Sequence, residues 1–194
     1  MSEAVDYGDP GVPMTRETYY PWALEHGGRY ERIDGVVVAM APERVGHSRV
    51  KGNIYALLRT AVRAAGLSCE VFPDGPAVMV DDSDYQPDCI VRCGDDVLTG
   101  DVQAVPDPLI IVEVLSPTTA RYDRTHKLRE YFRLPSVRHY LIVWPETSRL
   151  VHHRRAETGE VATLTHTSGS ITLDPPGISL RVDYLRAREE KFAQ

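Results

Sequence analysis

The chain is 194 residues long, 42% hydrophobic and 26% charged, the size and balance of one globular domain with a core of its own. No stretch approaches the roughly 20 apolar residues of a membrane helix. The opening "MSEAVDYGDPGVP" is acidic and lacks the apolar run of a secretory signal, so a cytoplasmic protein with no membrane partner is expected. The net charge of −6 speaks mildly against a nucleic-acid binder, but it is unevenly spread. Residues 1–120 hold 9 basic and 19 acidic side chains, whereas residues 121–155 hold 9 basic and 3 acidic, a local net of +6. That segment reads either as a solvated arginine-rich helix face or as a phosphate-facing stripe.

In chain order, residues 1–14 read as a flexible arm and residues 15–190 as a single domain. "MTRETYYPWALEHGG" predicts a short helix that Pro21 disturbs. "RYERIDGVVVAM" predicts a hairpin around Asp34-Gly35, a favoured two-residue turn. From residue 43 to 65, Val50, Ile54, Leu57, Leu58, Ala61, Val62 and Ala65 recur at helical spacing, and Gly66 supplies the stop. Strands follow near 68–72, 77–81, 87–92 and 108–115. A helix over 123–134 is capped by Asp123 and ended by Pro135. "VRHYLIVW" and "SRLVHHRR" form a further hairpin, with weaker strands near 161–166 and 170–173 and a terminal helix near 182–190. The plan is mixed α/β (α+β), a central mixed sheet flanked by helices with additional β-hairpins. Cys69, Cys89 and Cys93 form no CxxC pair, and buried free thiols in a reducing compartment are the simplest expectation.

The chemistry rests on two carboxylates. In "PLIIVEVLSPTT", Glu113 interrupts a run of apolar, mostly β-branched residues that reads as a strand buried on both faces. A carboxylate there needs a cation, an opening to water or a metal. Ile111, Glu113 and Leu115 share one face of that strand, and Val112 and Val114 the other. Asp88, after Pro87, starts the strand "PDCIV". If the two strands are neighbours, both carboxylates converge on one hard cation, Mg²⁺ or Mn²⁺ rather than zinc, because no His or Cys accompanies them. Each signal has an ordinary explanation: Pro-Asp is a common turn dipeptide, and a buried Glu commonly pairs with an arginine. Ser116 lacks the GxSxG elbow of a hydrolase nucleophile. His152 and His153 point to opposite faces of a strand, and no zinc site completes Cys89 and Cys93.

Pro-Asp on one strand and Glu-x-Lys on the next is the signature of the PD-(D/E)xK nuclease superfamily, from which this chain departs by carrying Leu115 where the lysine belongs. "YERIDG", "PDCIV", "IIVEVLSPTT", "DRTHKLREYF" and "VRHYLIVWPE", in that order over about residues 15–185, resemble the Uma-type endonuclease family of bacteria. The resemblance implies a restriction-endonuclease-like core in which Asp88 and Glu113 are metal ligands and Lys127 is the displaced lysine. It also favours Glu31 and His47 as further members of the site. Independently, Asp123, Lys127 and Tyr131 are spaced by four and form one helix stripe. The chain uses 19 arginines and only 3 lysines, so a lysine there hints at a need for a compact ammonium. Arg121 and Arg124 are candidate nucleic-acid contacts. The reading is a Mg²⁺- or Mn²⁺-dependent endonuclease acting on DNA, with a homodimer as the natural arrangement for cutting two strands. Its rivals are an inactive nuclease fold that binds nucleic acid or a protein partner, and a hydrolase of a small phosphorylated substrate.

Overall fold

The computed structural model describes residues 11–115, 123–147 and 149–185. Helix α1 (Arg16–His26) runs through Pro21, which the sequence marked as a disturbance. The ring removes the hydrogen bond to the Glu17 carbonyl, and the burial of Tyr19 and Trp22 holds the helix across that gap. The hairpin β1 (Tyr30–Ile33) and β2 (Val36–Ala39) turns at Asp34 and Gly35, whose φ values of 49° and 77° are those of a two-residue primed turn. Helix α2 (Val45–Ala64) follows and ends at Gly66, φ 63°.

Strands β3 (Cys69–Pro73), β4 (Val78–Val80), β5 (Ser83–Tyr85), β6 (Cys89–Cys93) and β7 (Ile110–Val114) come next. The expected helix over 123–134 is instead a π-helical turn over 123–127 leading into one α-helical stretch, α3 (Leu128–Tyr131). Pro135 biases the residue before it away from helical geometry, and the chain turns from Phe132 onward. After β8 (His139–Trp144) and β9 (Arg149–Arg155), β10 (Val161–His166), β11 (Ser170–Leu173) and β12 (Ile178–Arg181) close the strand list before a 3₁₀ turn at Val182–Tyr184. Most of the arm expected over 1–14 and the terminal helix expected near 182–190 lies outside the described residues.

Six strands make the central sheet, in the order β10-β9-β8-β7-β6-β3. The pair β7–β8 is parallel and the other neighbours are antiparallel. Parallel strands need a crossover, and the segment carrying α3 supplies it. A second sheet, β2-β1-β5-β4, and the hairpin β11–β12 complete the architecture. Val50, Ile54, Leu58 and Val62 of α2 pack with Leu173 and Leu180 on the face bearing Cys89, Val91, Val112 and Val114. Each such side chain contributes about 1.5–3 kcal/mol by leaving water. The opposite face, with Ile90, Ile111, Leu115, Tyr140 and Ile142, is covered by Val78, Val80, Tyr85 and Tyr131. Strand β7 is thus buried on both sides, as its composition requires.

The cysteine expectation is corrected. Cys69 and Cys93 stand opposite each other on β3 and β6 and form a disulfide; only Cys89 is a free, buried thiol. With two of its three cysteines paired, the chain does not carry the set of free thiols expected of a reducing compartment.

Candidate active site

The register of β6 and β7 decides whether the two carboxylates meet. Cys89 pairs with Val112, and Asp88, the residue before it, bonds the backbone of Val112 and Val114, the two residues that flank Glu113. Pro87, just before β6, has no N–H with which to extend the ladder. Asp88 takes over: its N–H donates to the Val112 carbonyl at 3.0 Å, and its Oδ2 accepts the Val114 N–H at 2.6 Å. Both carboxylates are 5% exposed. Burial pushes the Asp88 carboxyl above its ordinary range, opposed by the Lys51 ammonium, the Val114 N–H and the more distant His47 and Lys127.

Glu113 is held from the α3 side. Its Oε1 accepts the Lys127 ammonium at 3.0 Å and the Tyr131 hydroxyl at 2.8 Å. Lys127 and Tyr131 are four residues apart, and the turn of helix between them brings both donors to one oxygen. The same ammonium donates to Glu31 Oε1 at 2.8 Å, and that oxygen also accepts the Gln86 N–H at 2.9 Å. Lys127 is 2% exposed. Burial raises the Tyr131 phenol well above its usual range, with Glu113 and Glu31 adding to the effect, so Tyr131 remains a donor.

A second lysine, absent from the sequence reading, holds Asp88. Lys51 of α2 lies 3.2 Å from Asp88 Oδ1, 2.5 Å from Asp74 Oδ2 and 2.9 Å from Glu43 Oε1. Burial alone would lower its pKa, but Asp88, Asp74 and Glu43 hold it above the ordinary lysine value. Glu43, just ahead of α2, and His47 and Lys51 within it are spaced by four. His47 Nδ1 faces Glu43 Oε1 at 2.8 Å and its Nε2 faces the Val114 carbonyl at 2.5 Å, with Asp88 Oδ2 at 3.8 Å. The lysine count was the available signal: two of three lysines are buried, and both clamp carboxylates here.

Of the residues the sequence singled out, Asp88, Glu113, Lys127, Glu31, His47 and Tyr131 are brought together. Ser116 and Arg121 lie outside the described residues, as do the side chains of Asp123 and Arg124. Among the described residues, no group of three or more His, Cys, Asp or Glu is disposed to hold a metal ion. The donor set at the strand ends is two carboxylates with oxygen donors only. That chemistry fits Mg²⁺ or Mn²⁺, which take one or two protein carboxylates and fill the remaining positions with water and substrate oxygens.

A family model described as "Uma2: Putative restriction endonuclease" matches residues 16–183. The chain belongs to the Uma2 family. It is similar to two proteins of Synechocystis, both named as uncharacterized. One, slr1290, is 28% identical over 179 residues, covering 91% of this chain and 93% of the relative. The other, sll1609, is 27% identical over 128 residues, covering 64% and 71%. The fold is similar to that in a crystal structure titled as a putative nuclease belonging to DUF820 from Anabaena variabilis. The TM-score is 0.68 at 14% identity, over 89% of this chain and 97% of that one. The Uma2 fold here is a mixed α+β, restriction-endonuclease-like core. Within it, Leu115 sits two residues past Glu113, 2% exposed in the apolar core, while an ammonium reaches Glu113 from the crossover.

Proposed function

We propose that this Uma2 protein is a cytoplasmic endonuclease that hydrolyses DNA phosphodiester bonds with Mg²⁺ or Mn²⁺. The observation that carries the reading is the approach of Lys127 to Glu113 at the end of β7, beside Asp88. Asp88 and Glu113 hold the cation. A divalent ion there supplies a Lewis acid that acidifies water and neutralises phosphate charge. Lys127 places a compact positive charge where the phosphoryl group gains negative charge, and Glu31 and Tyr131 fix its neighbourhood. Lys51 and His47 position Asp88 from the α2 side. Cutting both strands would use two copies of the chain related by symmetry.

The reading is tested by nicking of supercoiled plasmid. Slow nicking with Mg²⁺ or Mn²⁺, none with EDTA, and none by Asp88→Ala or Glu113→Ala is the expected result. Equal nicking by both variants and the wild type would remove this site from the reaction. One observation favours a second reading, a nuclease fold that binds nucleic acid or protein without cutting: Lys51 and Lys127 each already pair with one of the two carboxylates. Under that reading a folded protein binds duplex but never nicks it. A small phosphorylated substrate, by contrast, would give binding with little salt dependence.

A further inference from the structure

We infer that the stacked pair Trp144–Arg149 holds a backbone phosphate of the nucleic-acid strand passing through the site, an inference that rests on the nuclease reading. Strand β8 runs parallel to β7 with Val143 beside Val114, and the Leu115 N–H donates to the Val143 carbonyl at 2.8 Å. Trp144 is therefore the neighbour of Leu115. It packs with Tyr140 and Ile142 on the sheet face that carries Glu113. Arg149 pairs with Trp144 across β8–β9 and shares that face. Strand rise and spacing put the Cα atoms of Trp144 and Arg149 about 8 and about 12 Å from that of Glu113, a few nucleotides along a bound strand.

The Arg149 guanidinium lies over the Trp144 ring, its carbon 3.9 Å from the ring centre. Such a stack fixes the plane of the guanidinium and leaves its N–H edge to meet an anion. No carboxylate pairs with Arg149 among the described residues, and its buried Nε has no hydrogen-bond partner. Other arginines differ: Arg16, Arg32 and Arg92 each bond a carboxylate at 2.7 or 2.8 Å. Arg138 and Arg155 also have an unpartnered Nε, but they lie at the far end of β8 and β9, away from Glu113. A fixed, unpaired guanidinium in a segment of net +6, beside an acidic pair, has the chemistry of a phosphate ligand rather than of a structural ion pair.

The test is equilibrium binding of a labelled duplex to the full chain in EDTA, followed across roughly 50 to 200 mM salt. Arg149→Ala should weaken binding and reduce the slope of log K against log[salt] by about one phosphate's worth, whereas Arg149→Lys should retain the slope. Trp144→Leu should weaken binding with the charge still present. Tryptophan fluorescence adds a direct readout: Trp22 is 1% exposed in the core, so a change on binding reports Trp144. A wild-type protein that binds the duplex with a slope unchanged by Arg149→Ala overturns this inference and leaves the nuclease reading standing. A wild-type protein that binds no nucleic acid either in EDTA or with Ca²⁺ in place of Mg²⁺ overturns both.

Discussion

The two ends of the central strands solve the same problem in opposite ways. At the end of β7, the buried groups Asp88, Glu113, Glu31, Lys51 and Lys127 are joined by ion pairs. At the start of β8, His139 faces His152 at 2.9 Å and the Pro175 carbonyl at 2.8 Å. Burial lowers the His139 pKa to about 4 and the His152 pKa to about 3. The histidine end avoids the cost of burying charge by staying neutral; the other end retains charge and needs a partner for each group. A charged cluster kept in the interior, where a neutral one serves elsewhere on the same sheet, is the pattern expected of a site with chemistry to perform.

The largest effect on stability should come from Lys127→Ala. It leaves Glu31 and Glu113 without their shared cation, and breaking a buried pair in this way costs about 3–5 kcal/mol. Urea denaturation at neutral pH measures it; a loss under about 1 kcal/mol would mean the cluster is more hydrated than its burial implies.

The histidine end should respond to acid. The folded-state pKa values of His139 and His152 are depressed, so the unfolded chain takes up protons first. Their stabilising contribution is present above the unfolded value near 6.5 and is lost as pH falls toward 4 and 3. The expected loss is about 1–2 kcal/mol per histidine between pH 7 and 5. His152→Gln should flatten the acid limb by about half in the same denaturation experiment. An unchanged limb would place its origin elsewhere.

Lys51→Ala should have the smallest effect, about 1–2 kcal/mol, although Lys51 touches three carboxylates. Asp74 and Glu43 keep a second basic partner, the Arg29 guanidinium and the His47 ring, and Asp88 keeps the Val114 N–H, whereas Glu31 and Glu113 keep only the neutral Gln86 N–H and Tyr131 hydroxyl once Lys127 is lost. A loss equal to that of Lys127→Ala would erase the difference between the two lysines.

Much of this was legible in the chain. The apolar run around Glu113 marked a doubly buried strand, and the four-residue spacing of Lys127 and Tyr131 anticipated their common target. Asp34-Gly35 and Gly66 marked their turn and helix end through the backbone conformations they take. The features that escaped depend on pairing. Lys51 follows Val50 on α2 and looks like helix surface until α2 docks over the end of β6. The turn at Asp81 and Asp82, with Asp81 at φ 46°, lacks the glycine that usually betrays a hairpin, so β5 was hidden. The Cys69–Cys93 bond spans 24 residues and follows from the β3–β6 register, which local pattern does not encode.

In the proposed mechanism, Lys127 supplies the ammonium missing at position 115. This role is tested most directly by the Mg²⁺-dependent nicking rate of Lys127→Ala, measured at low temperature with the folded fraction fixed by circular dichroism. A fall of about 10²- to 10³-fold is expected, with Mn²⁺ binding nearly intact, as for removal of one transition-state donor. Nicking at the wild-type rate would contradict this role and leave any catalysis to Asp88 and Glu113 alone.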